Sequence, residues 1–357
     1  MQKAYLILEN GKVFEGTSFG AIGNALGELV FTTSMVGYND LLRDAAYYGQ
    51  IVVNTFPLIG NYGIVFDDFE SKKPYLNGYI IREVCENPSN FNCKCTLESY
   101  MKLHGLVGIC DIDTRELTKI IRDNGTMNCM IATDADNIEA KLAEIKAYKI
   151  CDATAEVSCK EKANVAKGDI CRVAVYDFGS ADNLTDELAK RGCDITVVPY
   201  NTSCDEIMSL GVDGVILSDG PGNPADNADT AAQIAKLADN GMPLFGISLG
   251  HQILAMARGA KTSKLKYGHR GASQPVKAPD SNVTCITTQN HGYVVDGDSL
   301  PQGAKVSFVN VNDGSCEGIE YTDIKAFSVQ FHPVTSGGPH DTNYLFDKFI
   351  AMCKEDK

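Results

Sequence analysis

The chain has 357 residues, 44% of them apolar, enough to fill two separate hydrophobic cores. Its formal charge of -14 excludes a surface for nucleic-acid phosphates, which needs clustered Lys and Arg to displace counterions, and leaves small molecules or proteins as the expected partners. No run approaches the roughly 18 continuous apolar residues of a membrane span, and the opening MQKAYLILENGKVFEG lacks the charged-then-apolar layout of an export signal, so the expected location is the cytoplasm, with no membrane partner.

In chain order, residues 1–150 begin with short strands separated by Gly-rich turns: YLILENGKVFEG, ELVFTTSMVGYND and QIVVNTFPLIGNYG. They end in two stretches, DTRELTKIIRDNG and NIEAKLAEIKAY, whose apolar residues recur at three- and four-residue spacing and predict helices. Strands first and helices later predict a small α+β domain. Cys85, Cys93, Cys95 and Cys110 fall in this half, but NCKC lacks the paired C-x2-C spacing of a zinc site. All thirteen cysteines are therefore expected to be reduced thiols, with no metal bound.

Residues 151–170 are polar and without sustained period, and are expected to form a linker. Over 171–357 the texture becomes strand, turn and helix in repetition: CRVAVYDFGS, then ADNLTDELAKRG, then the strands DITVVPY, DGVILSDGPGNP and MPLFGIS. That alternation predicts an α/β domain with a mostly parallel open sheet flanked by helices, whose sites lie at the strands' C-terminal ends.

Three of those strand ends carry unusual residues. FGISLGHQ holds a Gly-x-Ser-x-Gly turn in which Ser248 is the tip of a nucleophile elbow and the Leu249 N–H points where an oxyanion would form; the alternative is a tight turn with Gly for packing. SDGPGNP offers the Gly220 N–H as a second oxyanion donor, or is an ordinary surface loop. In VQFHPVTSGGP, His332 is held by Pro333 at the same sheet edge and is a candidate base for Ser248, or a structural histidine. QNHGY supplies a second histidine in a polar setting, His291.

Taken together, GISLGHQ, QNHGY and FHP resemble the class I, triad-type glutamine amidotransferases. FEGTSFGA, GELVFTTSMVGYND, YGQIVVNTFPLIGNYG and GICDIDTRELTKIIRDNGTM are similar to the amino-terminal domain of the carbamoyl phosphate synthetase small-subunit family. The resemblance covers nearly the whole chain. It implies a cysteine at position 248 that attacks the glutamine side-chain amide, His332 as its base, and a glutamate at position 334 that orients the base. It also implies oxyanion donors at Gly220 and Leu249, and glutamine contacts from Ser34, Gly220, Gly222, Leu249, Gln252, Asn290, Gly292 and Tyr293, with Ser34 arriving from the first domain. The implied partner is a large subunit that carries the ATP-, Mg- and bicarbonate-dependent steps and receives ammonia, for arginine and pyrimidine synthesis. No cofactor is implied for this chain.

The sequence departs from that pattern at the triad itself: the nucleophile position holds Ser248 and the acid position Val334. SDGPGNP also has Asn and Asp in the order opposite to the family's, and FGSADN lacks its basic residues. A thiol loses its proton readily beside a histidine, whereas a serine hydroxyl needs a well-oriented base. Impaired glutamine hydrolysis is expected, unless another carboxylate such as Asp341 or Glu320 reaches His332. The alternative is a standalone serine hydrolase using Ser248 and His332.

Overall fold

The computed structural model describes residues 2–70, 73–179, 182–334 and 339–355, and the chain divides into two compact units, Met1–Cys151 and Asp152–Lys357. The first contains β1 (Lys3–Leu8), β2 (Val13–Gly20), β3 (Ala25–Thr32), α1 (Tyr38–Arg43), β4 (Gln50–Asn54), β5 (Leu58–Ile59), β6 (Gly78–Ile80), β7 (Glu83–Val84), α2 (Leu97–Leu103), β8 (Val107–Cys110), α3 (Thr114–Asn124), β9 (Met127–Ala132) and α4 (Ile138–Ala147). Seven of these strands close a barrel in the order β1-β2-β8-β6-β4-β3-β9, which leaves no free strand edge.

Period-two alternation sets the two faces of the barrel wall. Leu6 and Leu8 of β1 join one core with Ile51, Val53, Ile109 and Ile131, whereas Ile7 between them packs with Met130 and Ile145 of α4. Helix α3 starts where the Asp113 side chain accepts from the Glu116 N–H and stops at Gly125, whose φ of 91° suits a residue without Cβ. Its Leu117 and Ile121, four residues apart, are fully buried, worth about 1.5–3 kcal/mol each.

The second unit contains α5 (Ala153–Val157), β10 (Ala163–Ala166), β11 (Cys171–Asp177), α6 (Asp182–Lys190), β12 (Cys193–Pro199), α7 (Cys204–Ser209), β13 (Gly214–Leu217), α8 (Ala228–Asp239), β14 (Leu244–Ile247), α9 (Leu249–Ala257), β15 (Thr262–Lys277), β16 (Thr284–Val295), β17 (Ala304–Asn310), β18 (Cys316–Tyr321), β19 (Ala326–Val329) and α10 (Tyr344–Lys354). The strands form one sheet in the order β10-β12-β11-β13-β14-β19-β18-β17-β15-β16. Its centre, β12-β11-β13-β14-β19, is parallel, and antiparallel strands flank it on both sides. Within the stretch expected as a linker, α5 forms a short helix and β10 pairs antiparallel with β12 at the sheet edge. Three of the four β10 residues are exposed, so no buried alternation marks it in the sequence.

Alternate residues of the central strands feed opposite faces. Val215 and Leu217 of β13 pack with Ile207, Ile234 and Ile253 from α7, α8 and α9; Ile216 packs with Leu188 of α6 and Phe346 and Phe349 of α10. A parallel sheet covered on both faces leaves its strand ends as the open place for a site. The C-terminal ends of β13, β14 and β19 are neighbours there.

Candidate active site

Ser248 follows β14 directly and caps α9. Its φ of 52° and ψ of -107° place a non-glycine residue in a region that costs about 1–3 kcal/mol and persists only where the surroundings enforce it. They do so here: the Ser248 N–H donates to the Val329 carbonyl at 2.8 Å, and its own carbonyl accepts from the Gln252 N–H at 3.1 Å. The two glycines are required by close approach. A Cβ at Gly250 would lie 2.3 Å from the Leu217 carbonyl oxygen, and one at Gly246 would lie 2.8 Å from that of Gly250. The Gly250 N–H donates to the Ser218 carbonyl, which seats the helix start on the end of β13. Ser248 itself is buried, and Leu249 opens the helix whose first N–H groups lack intrahelical partners.

The turn after β13 is equally constrained. A Cβ at Gly220 would fall 2.2 Å from the Phe178 carbonyl oxygen, and the buried Ser218 hydroxyl accepts from the Phe178 N–H. Between them Asp219, only 5% exposed, makes two contacts with one carboxylate. Its Oδ1 accepts from the Gly220 N–H at 2.7 Å, and its Oδ2 lies 2.8 Å from Nε2 of His332, an ion-pair distance in a geometry short of a directed hydrogen bond. The Gly220 N–H named as an oxyanion donor is thus engaged by the neighbouring side chain. If Gly220 is the oxyanion donor that the sequence suggests, a negative group stands beside the developing charge.

The carboxylate at His332 is therefore neither of the two named from the sequence. Asp341 accepts from the Ile286 N–H, and Glu320 is held by Lys305 and Lys348. Asp219 was missed because it sits 113 positions before His332 in the chain; its signal was the inverted Asn and Asp order in SDGPGNP. The other member of that inversion, Asn223, caps the short turn at Pro224–Asn227 by accepting from the Ala225 N–H. Val334 packs against the apolar core beneath β19, where it has no polar group to offer His332. The backbone of His332 is fixed by donation from its N–H to the Thr288 carbonyl.

The remaining named residues divide among several settings. Gln252, buried on α9, donates both amide hydrogens within the fold, to the Tyr293 carbonyl at 2.7 Å and to Gln330 Oε1 at 3.0 Å. Asn290, Gly292 and Tyr293 lie on β16, with Asn290 buried opposite Arg270 of β15. Gly222 has a φ of 93°, which favours glycine, and faces Ala153. Ser34 belongs to the first unit, where its hydroxyl accepts from Thr32. Of FGSADN, Ser180 and Ala181 lie outside the described residues, and Asp182 begins α6.

Two other histidines are held neutral. Burial pushes His251 down to about 3, with Nδ1 2.8 Å from the Ser328 hydroxyl; burial, with His269, Arg270 and His332 adding to it, holds His291 well below the usual range. His291 lies on β16 with its Nδ1 at the Tyr293 carbonyl.

Comparison with known proteins extends these local likenesses along the chain. Residues 6–131 match the family model for the carbamoyl-phosphate synthase small chain, CPSase domain, and residues 174–352 match that for class-I glutamine amidotransferase. The carbamoyl phosphate synthase small chain of Clostridium perfringens is 46% identical over 351 residues, covering 98% of this chain and 99% of the relative. That of Fusobacterium nucleatum is 46% identical over 352 residues, covering 98% of each, and the pyrimidine-specific small chain of Bacillus subtilis is 44% identical over 353 residues, covering 99% of this chain and 96% of its own. With both halves matched in order and these relatives aligned almost end to end, the chain belongs to the carbamoyl phosphate synthase small-chain family.

Proposed function

We propose that this chain is the amidotransferase-type subunit of a cytoplasmic carbamoyl phosphate synthase, that it binds L-glutamine, and that its own hydrolysis of glutamine is impaired. A large partner subunit would supply the ATP-, Mg- and bicarbonate-dependent steps and draw mainly on free ammonia. The observation that carries the impairment is the Asp219 carboxylate, spanning the Gly220 N–H and His332 Nε2. With Asp219 so placed, attack by the serine hydroxyl lacks an available oxyanion donor at Gly220, and the His332 Nε2 that faces Asp219 is not open to take the hydroxyl's proton. Position 334, a valine, also supplies no orienting carboxylate, a loss that in a serine triad alone costs on the order of 10⁴ in turnover. Ser248, His332, Leu249, Gly222, Gln252, Asn290, Gly292, Tyr293 and Ser34 are the residues proposed for the glutamine site.

The test is synthesis by the purified complex with glutamine or ammonium as nitrogen donor. Ammonium is expected to support the reaction and glutamine to support it far less; comparable rates would overturn the impairment. Ser248→Cys with Val334→Glu restores a thiol and an orienting acid but leaves Asp219 in place. Full recovery of glutamine use is expected only when Asp219→Asn is added.

The same contact favours one second reading, a serine hydrolase in which Asp219 serves as the acid to His332. It predicts covalent labelling of Ser248 by a fluorophosphonate, abolished by Asp219→Asn. An unlabelled chain that still assembles with a synthetase subunit would sink it.

A further inference from the structure

In the antiparallel arm of the second unit, His269 of β15 pairs directly with His291 of β16, their rings 5.0 Å apart and nearly perpendicular. Glu317 of β18 lies beside them, fully buried. Ligating atoms of these three residues all lie within 4.8 Å of one another, and His269 Nδ1 is 3.4 Å from Glu317 Oε1. The outer nitrogen of each ring is fixed by an oxygen. His269 Nε2 is 2.9 Å from Asp313 Oδ2, and His291 Nδ1 is 2.7 Å from the Tyr293 carbonyl. Both oxygens facing His291, the Tyr293 carbonyl at Nδ1 and the Gln289 amide oxygen at Nε2, only accept, so a neutral ring donates to one and turns a lone pair to the other; with the hydrogen on Nδ1, the Nε2 lone pair faces inward.

That inward Nε2 faces Gln289 Oε1 at 3.0 Å. The amide cannot turn its nitrogen to the ring without losing its donations to Glu317 Oε2 at 2.9 Å and Thr287 Oγ1 at 3.2 Å. Nδ1 of His269 is buried and makes no directed hydrogen bond. With its Nε2 hydrogen toward Asp313, a neutral His269 turns the Nδ1 lone pair to the Glu317 carboxylate, acceptor against acceptor, while His291 Nε2 and the Gln289 amide oxygen lie beside them. Asn310 donates to Glu317 Oε1 from the side. A positive charge between His269 Nδ1 and the buried Glu317 carboxylate relieves that opposition.

We propose that His269, His291 and Glu317, with the Gln289 amide oxygen, form a binding site for a divalent transition-metal ion of the zinc type. The donor set of imidazole nitrogen and carboxylate suits zinc, whereas calcium and magnesium favour more numerous oxygens. The His269–Glu317 spacing matches the edge, about 3.4 Å, of a tetrahedron with bonds of about 2.1 Å. Asp313 behind His269 and the Tyr293 carbonyl behind His291 are the outer partners that fix tautomer and ring orientation at metal sites. The competing occupant is a proton on His269: burial opposes it, while Glu317 and Asp313 raise the ring's affinity for it. Metal binding would displace that proton. Because the Tyr293 carbonyl also accepts from Gln252, an ion here would stiffen the segment carrying Asn290, Gly292 and Tyr293, independently of whether glutamine is hydrolysed.

The test is titration of the chelator-treated full-length chain with Zn²⁺ by calorimetry, and with Co²⁺ by visible absorption. One equivalent is expected to bind with proton release, and Co²⁺ is expected to give the intense bands of low coordination. Glu317→Gln should abolish binding. Asp313→Asn, at a partly exposed residue, should weaken it about 10–100-fold while the metal-free chain melts normally. No saturable binding, or binding of equal strength in Asp313→Asn and Glu317→Gln, would overturn the site and leave the proton as its occupant.

Discussion

Asp219 and His251 show how single side chains set the limits of this site. The Asp219 carboxylate takes the Gly220 N–H, one of the two donors proposed for the oxyanion, so under that proposal its charge works against attack by Ser248. His251 is a stability residue: it is neutral in the native state, its affinity for a proton pushed down to about 3 by burial, against 6.5 when exposed. Below about pH 6.5 the unfolded chain binds this proton and the native chain does not, so stability falls with decreasing pH until the native value near 3 is reached. Urea unfolding between pH 7 and 4 should show the loss, at most about 1.4 kcal/mol per pH unit. In His251→Asn the curve should be flatter; an unchanged slope would mean that His251 is not responsible. At this scale the sequence revealed the elbow and the histidine at the third strand end, because Gly spacing and Pro333 are local signals. It concealed Asp219, whose partner is distant in the chain and whose identity mattered only through a folded contact.

Elements were legible where one face is buried and periodic. DTRELTKIIRDNG marks α3 almost to the residue, since its apolar spacing, Asp113 cap and Gly125 stop all agree. Closure of the first-unit barrel was not legible. β4 is buried at every position and so has no alternation, and β4, β6 and β8 are joined by parallel pairings far apart in sequence. Strand β10 escaped for the opposite reason, exposure. The fit of α9 to β13 gives a test at this scale. Gly250→Ala places a Cβ 2.3 Å from the Leu217 carbonyl oxygen, and overpacking of this kind costs about 1–3 kcal/mol. A denaturant midpoint unchanged by Gly250→Ala would show that the helix start is free to shift.

For the whole molecule, the net charge of -14 and the thirteen cysteines had the plainest consequences. Every cysteine is a free thiol, and burial separates their reactivities. Burial pushes Cys110 and Cys316 up to about 12 and holds Cys129 well above its usual value, whereas Cys151 is exposed. Titration of the native chain with a thiol reagent at pH 8 should therefore modify Cys151 early and leave Cys110, Cys129 and Cys316 until the chain unfolds. Early loss of those three would reveal local opening of the strands that carry them.

The left-handed turn at Ser248 acts continuously, whether or not any bond is ever broken there. Glycine reaches the same backbone angles without a Cβ clash, so Ser248→Gly should remove about 1–3 kcal/mol of strain and give back about 0.5–1 kcal/mol in chain entropy. A variant that melts higher than the parent would identify position 248 as a standing thermodynamic burden. The fold then keeps a spring compressed at the one point where a sulfur atom could again be put to use.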